Sequence, residues 1–197
     1  MLSFARLASF LLLALSMSFV ACTTSTGKTS QLAVRDYGYG DDSGSYTPSE
    51  NILKIVDDMT IDVEGCIGLM GKADVIATVV TEVNALVAHV EHAAACIAAI
   101  AEVEVSADVK AELAGKVLLL VKIIIEAFIS LTAKFGPTVM LALWAKIDVC
   151  IHLLMAKLDF VVHGVVALVA KLCIEANIQV TIEAYLHLCA KLLALVA

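Results

Sequence analysis

The sequence predicts an all-α fold: an antiparallel bundle of four to five long amphipathic helices, preceded by a signal peptide and a disordered hydrophilic arm. Three observations carry that reading. Hydrophobic residues make up 61% of the 197 and charged residues only 17%, with a mean hydropathy of +0.95, well above the roughly 45–50% apolar content of soluble domains. From Thr47 onward, capping residues, Pro and Gly cut the chain into long segments. Within those segments polar residues recur mostly at steps of four, the spacing that places side chains on one helix face.

Residues 1–22, MLSFARLASFLLLALSMSFVAC, have one early positive charge at Arg6, an apolar stretch centred on Phe10 to Leu15 and small residues toward the end, the plan of a secretory signal peptide. Cleavage after Ser18 or Cys22 meets the small-residue rule best; lipidation at Cys22 within FVAC is the alternative. Residues 23–47 turn abruptly to Gly, Ser, Thr and Asp. So few aliphatic side chains cannot offset the entropy of ordering the chain, so the stretch reads as a disordered acidic arm. Residues 48–197 form the hydrophobic helical-bundle domain.

In TPSE, Thr47 is placed to cap, Pro48 to occupy the first helical position and Glu50 to complete a capping box. A first helix over 48–64 puts Ile52, Ile55, Val56 and Met59 on one face, and GCIGLMGK reads as the turn to a second helix over 73–104. Ser106 caps a third over 107–135. The sequence FGP at 135–137 pairs a helix-ending Gly with a helix-starting Pro, opening a fourth over 137–163. Gly164 marks a weaker break before a fifth over 165–196, where the β-branched run NIQVTIE fits a helix least well.

The stretch KVLLLVKIIIEAFISLTAK, residues 116–134, tests whether such segments cross a membrane, because it holds only four charges in nineteen residues. Asp108, Glu112, Lys116, Lys122, Glu126, Ser130 and Lys134 fall on one slowly rotating stripe, which is expected to face water. Lys171, Glu175, Gln179, Glu183, His187 and Lys191 repeat the pattern in the last segment, and Asp148, His152, Asp159 and His163 mark the fourth. A spanning helix needs about 20 predominantly apolar residues, and central charges are costly in lipid. The longest charge-free runs after residue 22 are eleven residues, 135–145 and 160–170, so no transmembrane span is expected in the mature chain.

No catalytic constellation stands out, no cofactor is expected, and the chain reads as non-enzymatic. Gly65, Gly68 and Gly71 lack the spacing of a phosphate-binding loop, with Cys66 where its first Gly belongs and Ala73 where its hydroxyl belongs. His89, Glu91 and His92 in HVEH miss the His-Glu-x-x-His spacing of a zinc helix and read as solvated helix surface. Asp57, Asp58, Asp62 and Glu64 lack the loop geometry of a calcium hand. Ser49, Ser106 and Ser130 sit in no nucleophile elbow, and Trp144 reads as a core anchor. A formal net charge of -7 argues against nucleic acid as a partner.

Charge is uneven: residues 51–112 carry eleven acids against three lysines, and 113–197 five acids against seven lysines. The greasier second half is therefore expected to be either the surface-seeking part, since exposed apolar patches mean partners, or the centre of a well-packed core. Removal of Cys22 leaves five cysteines, Cys66, Cys96, Cys150, Cys173 and Cys189, candidates for disulfides, an intermolecular thiol or inert buried packing. Cys66 with Cys189, and Cys173 with Cys150 or Cys96, lie at similar levels of the predicted layout.

Signal peptide, hydrophilic stretch TTSTGKTSQLAVRDYGYGDDSGSY and a long hydrophobic portion with scattered Cys together resemble, in layout, the secreted surface proteins of mushroom-forming fungi that are distinct from hydrophobins. The resemblance implies a place in the cell wall or extracellular matrix and a role in aerial growth or attachment to hydrophobic surfaces. It transfers no functional residues. True hydrophobins have eight cysteines with two adjacent pairs, whereas no two cysteines adjoin here. The expected function is thus a secreted, self-associating, surface-active structural protein whose partners are wall components, hydrophobic surfaces or lipids. The alternatives are an extracellular carrier of a lipid-like ligand and a membrane-active helical toxin.

Overall fold

Order begins where the sequence places a cap. The amide of Glu50 donates to Thr47 Oγ1 at 3.4 Å and the amide of Thr47 donates to Glu50 Oε2 at 2.7 Å, a complete capping box that opens helix α1, Pro48–Gly71. The computed structural model describes residues 47–195, so the expected signal peptide and almost all of the expected arm lie outside the described residues. Helix α1 does not stop at Glu64 but runs through GCIGLMG. Cys66 and Met70 continue the buried stripe of Ile52, Val56, Met59 and Val63. Their burial outweighs the cost of about 1 kcal/mol for each helical Gly.

Helix α2 spans Ile76–Ala98, shorter than the expected 73–104 at both ends. Residues 101–106 are not helical: the Val103 amide donates to the Val161 carbonyl at 2.9 Å, and Glu102 Oε1 lies 2.7 Å from His163 Nε2. Tertiary partners thus claim the alternating EVEV run. Helix α3, Ala107–Phe135, starts as expected, with Ser106 Oγ accepting from the Val109 amide at 3.3 Å. Its end is set by Gly136 at φ +90, a conformation that favours glycine, and Pro137 opens helix α4, Pro137–Val161.

The expected fifth helix is three pieces: α5, Val165–Glu175; α6, Gln179–Tyr185; and α7, His187–Leu192. The first break falls at Asn177, φ 56, one of the few residue types that tolerate the left-handed region. These seven helices hold 84% of the described residues, none of which is in a strand; the fold is all-α.

Side-chain partners give the helix directions. Asp57 meets Lys116 at 2.6 Å and Asp74 meets Lys134 at 3.5 Å, so α1 and α3 run side by side in the same direction. His89 on α2 approaches Asp62 on α1 at 3.4 Å, and Trp144 on α4 donates to Thr132 on α3 at 3.0 Å. Each pair therefore doubles back across its short turn. α2 packs along α4, α5 against α3 and α4, and α7 against α4. The buried faces merge into one apolar core, with Phe128 among its largest fully buried side chains.

Candidate functional surface

Helix α4 exposes more large apolar side chains than any other helix among the described residues. Its inner face supplies Met140, Leu143, Trp144, Ile147, Ile151 and Leu154 to the core. Trp144 is the anchor the sequence suggested: its ring stacks on Tyr185 at 4.6 Å and meets the edge of Phe128 at 5.0 Å. The outer face is apolar too. Leu141 is 70% exposed, Val149 53% and Phe160 66%, with Leu153 also exposed. Together with exposed Ala142 and Ala145 they form a stripe flanked on one side by Lys146 and Lys157.

The expected water-facing stripe of this helix is corrected at its first member. Asp148 is buried, only 6% exposed, and is the one buried charged side chain among the described residues. Its Oδ2 accepts from the Leu188 amide at 2.7 Å and its Oδ1 from the Cys189 amide at 3.0 Å. A carboxylate loses hydration on burial, and two charge-assisted bonds at the start of α7 replace it. The same bonds explain the break at Leu186, because the first amides of α7 have turned toward α4. Asp159 is also diverted, its Oδ1 accepting from the Gly164 and Val166 amides at 3.1 Å each. His152 is half-buried, with Nδ1 lacking a hydrogen-bond partner, and His163 is exposed.

The predicted stripe of α3 lies where periodicity put it. On α3, Asp108, Glu112, Lys122, Glu126, Ser130 and Lys134 are exposed, and Lys116 is half-buried between Asp57 and Glu112. Those carboxylates push the Lys116 ammonium above its ordinary pKa. In the C-terminal segment Lys171, Glu175, His187 and Lys191 are exposed but Gln179 and Glu183 are half-buried, and because three helices replace the expected one the six do not share a single helix face. HVEH departs from expectation at His89, whose side chain is 12% exposed against Asp62 rather than solvated.

Among the described residues no three His, Cys, Asp or Glu side chains are grouped to hold a metal; of the acidic residues of α1, Asp57 pairs with Lys116 on α3 and Asp62 approaches His89 on α2. Cys66, Cys150, Cys173 and Cys189 carry buried free thiols. Burial pushes Cys66 and Cys173 to about 11 and Cys150 to about 12, and raises Cys189 as well. Thiols so protonated are poor nucleophiles. Cys96, half-buried, lies 3.8 Å from His92 Nε2.

Sequence reasoning missed the α4 stripe because it counted Asp148 as a hydrated residue. A signal was present: Leu141, Ala145, Val149 and Leu153 stand four apart, the same step that was followed for the charges. By length and composition α4 is also long and apolar enough to cross a membrane, with half of its most apolar window buried. No known family, no curated protein and no solved structure matches this chain.

Proposed function

We propose that this is a secreted, non-enzymatic, surface-active structural protein of the cell wall or extracellular matrix, self-associating and supporting aerial growth or attachment to hydrophobic surfaces. In this reading a cleaved signal peptide exports the chain, a hydrated arm keeps it soluble, and an antiparallel helical bundle presents apolar surface to air, wall lipid or other copies. The exposed apolar stripe of α4 carries the reading. Each Leu, Val or Phe removed from water contributes about 1.5–3 kcal/mol, so a ridge of them favours any apolar phase that covers it.

The test is surface tension against concentration for the purified protein, read beside light scattering and helical circular dichroism. A fall in surface tension with assembly and retained helix is expected. A helical monomer that leaves the air–water interface unchanged would sink the proposal. The length of α4 favours one second reading, a membrane-active helix; dye release from lipid vesicles without a change in surface tension would select it.

A further inference from the structure

We propose that the fold opens at an apolar surface by a hinge in residues 99–106, the α1–α2 hairpin swinging away from α3 and α4. This rests on the surface-active reading above and says how inner apolar faces reach the phase they coat. The helices stack in layers: α1 lies along α3 and α2 along α4, while α5 and α7 pack against this second layer. Within a layer the joints are tight. Residues 72–75 turn α1 into α2, and Gly136 alone separates α3 from α4. Between the layers, residues 99–106 belong to no helix. Fully extended, residues 101–106 reach about 20 Å, more than the separation of about 8–10 Å between packed helix axes. The hairpin can therefore leave as a unit without breaking a helix.

The layers are fastened in different ways. Asp148 ties α7 to α4 through buried bonds to the Leu188 and Cys189 amides, and Asp159 ties the start of α5 to the end of α4. Contacts to the first layer lie at or near the surface. Lys116 meets Asp57, Lys134 meets the Ala73 carbonyl and Asp74, and Lys146 Nζ donates to Asn84 Oδ1 at 2.9 Å. In each of these the second layer donates and the first accepts, in keeping with eight acids against two lysines over residues 48–98. Pairs of this kind align the hairpin but hold it weakly. The hinge is tacked down in the same manner, by exposed Glu102 on exposed His163 and by the Val103 amide on the Val161 carbonyl.

Apolar burial is therefore what closes the first layer on the second. Val83, Leu86 and Val90 are buried on α2, and Ile147, Cys150 and Ile151 on α4, and Glu91 of α2 is near enough to raise the Cys150 thiol. Such burial favours the closed form only while the alternative is water. Against air or oil the same side chains stay out of water with the hairpin open, so closure loses its drive. The hydrogen bonds within each helix are untouched by the movement, and the buried Asp148 bonds keep α7 on α4.

Locking the two layers together tests the hinge. Asn84→Cys and Lys146→Cys replace an exposed pair and are joined, in a Cys96→Ala background, by a short bismaleimide that contains a cleavable disulfide. Lys122→Cys with Glu126→Cys, joined in the same way within α3, is the control. The locked protein is expected to lose the fall in surface tension, the control to keep it, and reductant to restore the behaviour of the unlocked protein. A photoreactive diazirine dissolved in hexadecane droplets reads where opening occurs. Without the lock, insertion is expected at Leu86 on α2 and Cys150 on α4, both buried in the closed form, and not at Val169 on α5, which is buried as well. A locked protein that lowers surface tension as the parent does would overturn the hinge and leave the surface-active reading standing. Insertion at Val169 as strong as at Cys150 would overturn the hinge in favour of global unfolding. A parent protein that leaves the interface unchanged would overturn both.

Discussion

Helices α3 and α4 are consecutive, similarly long and similarly apolar, yet α4 leaves five large apolar side chains exposed, Val139, Leu141, Val149, Leu153 and Phe160, and α3 only Leu119 and Ile129. On α3 the polar residues form the outer stripe and Leu120, Ile124, Phe128 and Leu131 go inside. On α4 a carboxylate goes inside and Leu141, Val149, Leu153 and Phe160 stay out. The difference comes from partners rather than propensity. On α3, Lys122 and Glu126 pair with each other at the surface and Lys116 and Lys134 reach Asp57 and Asp74 without being buried, whereas Asp148 gains two buried backbone donors supplied forty residues later. A charge whose partners are backbone amides packed against the core stops marking the wet side of its helix.

The strongest way to break that comparison is to remove the inward carboxylate. Asp148→Ala leaves the Cys189 amide buried without an acceptor and releases the start of α7, and should cost about 2–4 kcal/mol in urea unfolding. Asp148→Asn keeps one acceptor oxygen and should lose about half as much. Glu126→Ala on α3, exposed and paired only loosely with Lys122, should stay within about 0.5 kcal/mol of the parent. Equal losses at the two positions would show that Asp148 does not hold α7.

Legibility in the sequence divides along the same line. The α3 stripe, the Thr47 and Ser106 caps and the Gly136–Pro137 break were readable because each depends on residues within one or two turns. The continuation of α1 through three glycines was not, since the gain from burying Cys66 and Met70 comes from other helices. Nor was the cut at Leu186, whose cause is Asp148 on another element. The surface proposed here was hidden for that reason: periodicity finds an amphipathic face, but only tertiary contacts say which residues the core has claimed.

Thiols sharpen the comparison on a second axis, since Cys150 lies on the inner face of α4. Folding raises Cys66 and Cys173 from 9.0 to about 11 and Cys150 from 9.0 to about 12. A raised folded pKa gives stability that is complete below the unfolded value and lost as pH rises through the folded one. The urea midpoint should therefore hold steady up to about pH 8 and fall between about pH 9 and 12. At pH 8 the thiolate fraction of Cys150 is only about 10⁻⁴, so its alkylation should wait for unfolding, while half-buried Cys96 reacts first. Rapid native-state labelling of Cys150 followed by peptide mapping would contradict the burial of that face.

The smallest effect on stability is expected where the effect on assembly is largest. Leu141 is 70% exposed on α4 and buries little on folding, so Leu141→Gln should shift unfolding by no more than about 0.5 kcal/mol. The same change puts an amide at the border of the stripe, and a polar group left without a partner in an apolar contact costs about 1–3 kcal/mol. Surface activity and light scattering should therefore decline while the urea curve stays in place. On α3 the exposed Lys122→Gln change should leave both readouts where they were. If Leu141→Gln instead lowers stability and leaves assembly untouched, the outer face of α4 belongs to the core and the contrast between the two helices disappears.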